Sequence, residues 1–184
     1  MSEAVKTKKG MPEMARLTVT LLAISAACAL LLGLVNVITA PRIAEAQVAK
    51  TNAAMAEVLP TDGEYLPVEF DTTGTIVTAV YAAGDDGYVV EVAPSGFGGN
   101  ITMMVGVDMN GACTGVSIVK MSETAGLGAN ASKDWFREQF VGLTGTVKVT
   151  KDGGVIDSLT GATITSRAVA DGVTAALAAV RSLG

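Results

Sequence analysis

Residues 157–166 read Asp157-Ser-Leu-Thr-Gly-Ala-Thr-Ile-Thr-Ser166, and this stretch separates a β-type run from a helical run. It carries five hydroxyl side chains within nine residues, and the small pair Gly161 and Ala162 lies in their middle. A β-branched pair, Val155–Ile156, precedes it, and an amphipathic run with helical spacing of its apolar residues follows. The pattern predicts a strand-to-helix turn whose hydroxyls surround the first turn of the helix. Free backbone N–H groups and the positive end of the helix dipole favour an anion at such a place.

Two interpretations of this hydroxyl cluster are open from the residues alone. Ser and Thr are the usual N-cap residues, and a single one suffices to cap a helix. The alternative is a phosphate site at the helix N-terminus. The local pattern by itself favours plain capping, because short motifs often occur by chance.

The four residues Thr160–Thr163, Thr-Gly-Ala-Thr, resemble the [Ser/Thr]-Gly-Ala-Thr motif of covalent FMN-binding domains. Such domains occur in the G subunits of the Rnf electron-transport complexes and in the C subunits of sodium-pumping NADH:quinone oxidoreductases. The resemblance implies that FMN is joined through a phosphoester bond to the side-chain oxygen of Thr163, by a separate flavin transferase that uses FAD. It also implies that Asp157, Thr160 and Ser166 position the turn for that enzyme and, with helix N–H groups, solvate the phosphate.

Two more segments resemble the same family. Residues 122–128, Ser-Glu-Thr-Ala-Gly-Leu-Gly, are similar to its Glu-Thr-Pro-Gly-Leu-Gly loop, with Ala125 where Pro is usual. Residues 96–99, Gly-Phe-Gly-Gly, are similar to its Gly-aromatic-Gly-Gly segment. The resemblance implies that the flavin ring lies against four residues of the first loop: Glu123, Thr124, Gly126 and Leu127. It also implies that Gly98 and Gly99 of the second segment allow the backbone to approach the ring closely. Without the resemblance, the first segment is a loop that leads into a helix at Trp135–Phe140.

A membrane anchor is predicted near the N-terminus. The segment from Leu17 to Ala40 has no charged residue, and it is long enough to span a bilayer with some tilt. A signal peptide is the rival interpretation, but Ile38-Thr39-Ala40 followed by Pro41 is a poor cleavage site. We therefore expect the segment to be retained.

The charges that flank the anchor predict its orientation. Four basic residues precede it (Lys6, Lys8, Lys9 and Arg16), whereas Arg42 and Lys50 follow it. The positive-inside rule then places the N-terminus in the cytoplasm and the rest of the chain outside. Nine of the 13 basic and sixteen of the 18 acidic residues follow Arg16, a balance of −7. An exported domain with that charge is a poor nucleic-acid binder, and we expect no nucleic-acid partner.

The side chains of the sequence restrict the chemistry that it can perform unaided. There is no histidine, the usual general base and metal ligand. The two cysteines are not expected to pair, because Cys28 is in the anchor and Cys113 in the exported part. No CxxC motif occurs, so neither a metal site nor an iron–sulfur site is expected. Redox work by this chain must therefore come from a bound cofactor.

The remaining pattern predicts an α+β fold. Short β-type runs at 75–82 and 88–92 flank a Gly-Asp-Asp-Gly turn, and runs at 101–108 and 112–120 flank Asn110-Gly111. A last hairpin is expected from 147–149 and 155–156. We divide the chain into a cytoplasmic tail (1–14), a transmembrane helix (15–40), a helical stalk (41–64) and an extracytoplasmic, covalent FMN-binding domain of antiparallel hairpins packed with helices (65–184).

The function that the resemblance implies is an electron relay. FMN on Thr163 would serve an Rnf-type complex that couples ferredoxin:NAD oxidoreduction to translocation of sodium ions or protons, with the other membrane and peripheral subunits as partners. Three alternatives remain open at this point. They are the C subunit of a sodium-pumping NADH:quinone oxidoreductase, a stand-alone anchored extracellular flavoprotein, and a non-redox anchored binding or assembly module whose Thr-rich turn only caps a helix.

Overall fold

A long N-terminal helix, α1 (Glu13–Val58), begins the part of the chain that the computed structural model describes, residues 12–183. Pro41 lies inside α1, and the helix continues past it although proline removes one helical hydrogen bond. The apolar part of α1 is exposed and has a mean hydropathy of 2.5 over 18 residues, so within residues 12–183 it is the one helix long and apolar enough to cross a membrane. Most of the predicted tail, residues 1–11, falls outside the described residues.

The chain separates into two compact units, one ending at Gln47 and one from Val48 onward, and the second contains a five-stranded sheet. Every neighbouring pair is antiparallel and the spatial order follows the chain. The strands are β1 (Leu66–Val68), β2 (Val77–Ala82), β3 (Gly87–Val92), β4 (Thr102–Asp108) and β5 (Cys113–Lys120). The two predicted hairpins are confirmed. Strand β1 was not predicted, because it has three residues and one of them is Pro67.

Shorter elements and one long helix follow the sheet. After a 3₁₀ turn at Gly128–Ser132, the predicted helix at 135–140 consists of a short α2 (Asp134–Arg137) and a 3₁₀ turn (Glu138–Phe140). A further 3₁₀ turn covers Thr150–Asp152, and α3 (Thr163–Leu183) confirms the predicted C-terminal helix. The fold is therefore α+β, as predicted.

The expected last hairpin is wrong. Val149 and Ile156 form a single bridge, and it is parallel rather than antiparallel. The chain between them curls into the 3₁₀ turn and passes through Gly153 at a φ of 79°. Runs of two or three residues offer too few ladder hydrogen bonds to hold an isolated hairpin against such a turn.

Both faces of the sheet are covered within the second unit. On one face, α3 and the two phenylalanines of the α2 region pack against β3 and β4, around Val90, Met103 and Leu177. On the other, Met55 and Val58 from the end of α1 pack against the side chains that point the opposite way. A sheet buried on both sides shows continuous apolar strands instead of alternation, as β4 does.

A polar cluster fastens the end of α1 to this unit. Arg137 Nη1 donates to Glu57 Oε1 at 2.7 Å and to the carbonyl oxygen of Val116 at 3.0 Å. Ser117 Oγ donates to the other carboxylate oxygen of Glu57. Burial acts to raise the pKa of Glu57, but the hydrogen bonds from Ser117 and Arg137 outweigh it, so the pKa lies below its ordinary value of 4.5.

The Glu57 cluster predicts a pH-dependent contribution to stability. A carboxyl whose pKa is lowered on folding stabilises the protein above its unfolded pKa, and this stabilisation is lost as the pH falls through the folded value. We expect Glu57→Gln to lower the urea midpoint of the detergent-solubilised chain at pH 7, and the difference from wild type to shrink below pH 4.5. Glu64→Gln, at an exposed carboxyl, is the control. A Glu57→Gln deficit that is equal at pH 7 and at about pH 3 would contradict this assignment.

Candidate functional site

The turn that leads into α3 is built from its own hydroxyls. Gly161 has a φ of 75°, a left-handed conformation that suits glycine. Ser166 is fully buried; its Oγ accepts from the N–H of Leu159 at 2.9 Å and donates to the carbonyl oxygen of Ala162 at 3.0 Å. Ser166 therefore stabilises the turn from its buried side. The first helical residue, Thr163, does not make these hydrogen bonds.

Thr163 is half-buried, and its hydroxyl oxygen has a cationic neighbour. Lys151 Nζ donates to Thr163 Oγ1 at 3.0 Å from the 3₁₀ turn Thr150–Asp152. The next residue, Asp152, accepts from Arg167 Nε at 2.6 Å and Nη2 at 2.7 Å. The Arg167 hydrogen bonds hold the pKa of Asp152 below its ordinary value. Sequence reasoning missed Lys151, because it assigned this segment to the turn of a hairpin.

Glu123 ties three segments together. Its Oε1 accepts from the N–H of Gly98 at 3.0 Å, and its Oε2 accepts from Thr165 Oγ1 at 2.8 Å. Thr165 is 1% exposed, so this hydrogen bond replaces the hydration that its hydroxyl has lost. A Cβ on Gly128 would collide with the same Glu123 carboxylate and Thr165 hydroxyl. One carboxylate thus joins the Gly-rich segment, the loop after β5 and the first turn of α3.

A cavity of about 430 Å³ opens between these segments. Its volume falls within the range of small-molecule sites, roughly 300–1,000 Å³. Three apolar residues border it and are partly exposed to solvent: Phe97 at 72%, Ile164 at 50% and Leu127 at 43%. Thr163 and Lys151 also line the cavity, so its wall contains apolar side chains, a hydroxyl group and a positive charge.

The other residues predicted for the site divide into two groups. Thr124, Leu127, Gly161 and Ala162 line the cavity together with Glu123 and Thr163. Five others are exposed and are not among its lining residues: Asp157, Thr160, Gly126, Gly98 and Gly99. A Cβ on Gly98 would collide with the carbonyl group of Ser122, so this glycine is needed where two loops of the chain meet.

The residues around the cavity fit the ligand class that the motifs suggest. The apolar side chains at the border suit an aromatic ring system. The ammonium of Lys151 and the N-terminus of α3, both at Thr163, suit a phosphate. Sequence reasoning had not selected five of the residues that line the cavity, which are Phe97, Gly128, Lys151, Ile164 and Thr165. Thr165 could have been found as the second hydroxyl of the first helical turn, whereas nothing local marks Lys151.

Comparison with known proteins gives matches over both parts of the chain. Residues 96–178 match the family model described as an FMN-binding domain, and residues 2–58 match that of the RnfG N-terminal region. The G subunit of the ion-translocating oxidoreductase complex of Methanosarcina acetivorans is 36% identical over 90% of this chain and 93% of its own length. The G subunit of the Na(+)-translocating ferredoxin:NAD(+) oxidoreductase complex of Acetobacterium woodii is 33% identical, covering 91% and 92%. The crystal structure of the C subunit of the Na(+)-translocating NADH-quinone reductase of Parabacteroides distasonis is 21% identical and superposes with a TM-score of 0.47 over 68% of this chain and 78% of that one.

Proposed function

Because this chain belongs to the family of G subunits of ion-translocating oxidoreductase complexes, we propose that it is an anchored electron-transfer subunit with FMN joined to Thr163 by a phosphoester bond. The bound FMN would supply the redox chemistry, for which the chain has no group of its own. The complex would couple ferredoxin:NAD oxidoreduction to translocation of sodium ions or protons, and its other subunits would be the partners of this one.

The observation that carries the proposal is the position of the Thr163 hydroxyl. It lies at the first residue of α3, in the wall of the 430 Å³ cavity and 3.0 Å from the Lys151 ammonium. Lys151 and the helix N-terminus would offset the charge of the phosphate. Phe97, Leu127 and Ile164 would bind the ring through apolar contact and exclude water from it. Glu123 would hold the segments that carry these side chains in place.

Attachment would require a separate flavin transferase. A threonine alcohol is a weak nucleophile without a base to accept its proton. The chain contains no histidine, and the group hydrogen-bonded to Thr163 Oγ1 is a proton donor, the Lys151 ammonium. The base would therefore come from the transferase, with FAD as the donor of the FMN group.

The anchor would hold the cofactor domain at the membrane. The exposed apolar helix suits a bilayer, and the basic residues before it would keep the N-terminus in the cytoplasm. The domain with Thr163 would then lie outside. A covalent bond at that location would prevent loss of FMN to a dilute surrounding medium.

Mass spectrometry of the protein from native membranes tests this proposal. We expect the peptide that contains Thr163 to carry the mass of an FMN phosphoester, and the intact band to fluoresce in a denaturing gel. Protease added to spheroplasts, which have no outer membrane, should remove the fluorescent domain. An unmodified, colourless protein from a host with the transferase would contradict the attachment and favour an anchored binding module. A domain resistant to external protease but cleaved after lysis would contradict the orientation.

A further inference from the structure

The 3₁₀ turn Thr150–Asp152 contacts α3 through two adjacent side chains. Lys151 donates to Thr163 Oγ1, and Asp152 forms the bidentate ion pair with Arg167. Thr163 and Arg167 are four residues apart in a helix, so they lie on the same face, one turn above the other. The Asp152–Arg167 pair therefore fixes the turn against the helix in the register that brings Lys151 to Thr163.

The ammonium of Lys151 is not hydrogen-bonded to the neighbouring carboxylate, Asp152. Both carboxylate oxygens of Asp152 accept hydrogen bonds from Arg167. Within residues 12–183, Lys151 Nζ has one side-chain hydrogen-bond acceptor, and this is the neutral hydroxyl oxygen of Thr163. An ammonium has three N–H donors, so Lys151 can keep this contact and still donate to a phosphate oxygen.

We propose that Lys151 promotes the transfer of FMN to Thr163 by holding the attacking oxygen and by binding the incoming diphosphate. This inference rests on the proposed function. In the step, Thr163 Oγ1 bonds to the flavin-side phosphorus of FAD, and the bond from that phosphorus to the bridging diphosphate oxygen breaks. AMP leaves with the electron pair of that bond, and the hydroxyl proton passes to a base of the flavin transferase. Lys151 stays protonated, and no group is oxidised or reduced.

The position of the ammonium explains why it would accelerate this step. Negative charge develops on Thr163 Oγ1 as its proton leaves, and a preorganised donor 3.0 Å away stabilises that charge when it forms. The donated hydrogen bond uses a lone pair of the oxygen and leaves its O–H directed elsewhere, available to a base. The Asp152–Arg167 pair would act as a positioning device for Lys151 and would not touch the reacting atoms.

Initial rates of attachment test the role of Lys151. The detergent-solubilised full chain, free of flavin, is incubated with purified flavin transferase, Mg²⁺ and FAD, and covalent flavin is measured by in-gel fluorescence and peptide mass. We expect Lys151→Gln to lower the rate about 100-fold, the lower end of the roughly 100- to 1,000-fold cost of removing a single preorganised donor. Lys151→Arg keeps the charge and should recover part of the rate. Lys148→Gln removes an equal charge from an exposed lysine three residues earlier and should stay within about twofold of wild type.

Each outcome separates this inference from the proposed function. If wild-type protein is labelled at Thr163 and Lys151→Gln is labelled at the same rate, the role of Lys151 is overturned. The proposed function is then left intact. Equal losses in Lys151→Gln and Lys148→Gln also overturn it, because general positive charge would then suffice. Absence of label on wild-type Thr163 removes the proposed function itself. Lys151 is exposed, so thermal unfolding of Lys151→Gln should match wild type and show that the variant is folded.

Discussion

A chain with Thr163→Ala is expected to fold and insert into the membrane as wild type does, yet to carry no covalent flavin and to leave its complex without ferredoxin:NAD turnover. Ala removes the proposed attachment oxygen, and the buried hydroxyl of Ser166 still shapes the turn. The stability change should be within about 1 kcal/mol, because Thr163 is half-buried and Ala is a good helix former. In-gel fluorescence and peptide mass measure the covalent flavin, thermal unfolding measures the stability, and an assay of the complex measures ferredoxin:NAD turnover.

Two substitutions are matched controls for Thr163→Ala. Thr163→Ser keeps a hydroxyl at the attachment position and should retain covalent flavin. Thr146→Ala removes an exposed hydroxyl outside the four-residue motif and should leave the label. A fluorescent Thr163→Ala band would place the attachment elsewhere, and wild-type turnover by an unlabelled complex would exclude the relay role.

Glu123→Ala is expected to destabilise the domain and to reduce flavin attachment together. The change leaves the buried Thr165 hydroxyl and the Gly98 N–H without their acceptor. An unsatisfied buried donor costs about 1–3 kcal/mol in the free energy of unfolding. The loop after β5 and the Gly-rich segment would then separate from α3, and the cavity that they enclose would lose its shape. Urea unfolding and in-gel flavin fluorescence of the full chain measure both losses.

The graded variant for this prediction is Glu123→Gln. An amide keeps the shape of the side chain but offers one oxygen acceptor where the carboxylate offers two. Its loss of stability should therefore lie between those of wild type and Glu123→Ala. Glu138→Ala, at an exposed carboxylate, is the control for loss of charge and should be near wild type. Unchanged unfolding in Glu123→Ala would show that the three segments are held together by other contacts.

Local pattern was enough for the elements of regular structure. The uncharged run from Leu17 to Ala40 predicted a helix, and the Asn110-Gly111 turn predicted the β4–β5 hairpin. The spacing of apolar residues after Thr163 predicted α3. Each of these signals is carried by residues adjacent in sequence, through hydrogen bonds and periodicities that do not depend on distant parts of the chain.

Local pattern failed where packing controls the conformation. The runs around Val149 and Ile156 have β-type residues but form one parallel bridge, because two or three residues offer too few ladder hydrogen bonds to hold a hairpin against the 3₁₀ turn between them. Pro41 stands at the predicted boundary between the transmembrane helix and the helical stalk, and α1 is continuous through it. A proline costs a helix one hydrogen bond, and the rest of the ladder can continue on both sides.

The candidate residue for attachment, Thr163, was identified from the resemblance of the Thr-Gly-Ala-Thr motif to covalent FMN-binding domains, because the residues alone favoured a plain helix cap. The surroundings of Thr163 depend instead on the tertiary structure. Lys151 is 12 residues away and Glu123 is 42 residues from its partner Thr165. Side chains at such separations meet only when the sheet and α3 pack against each other. The contacts that shape the cavity are therefore a consequence of burial in the whole domain and leave no local signal in the sequence.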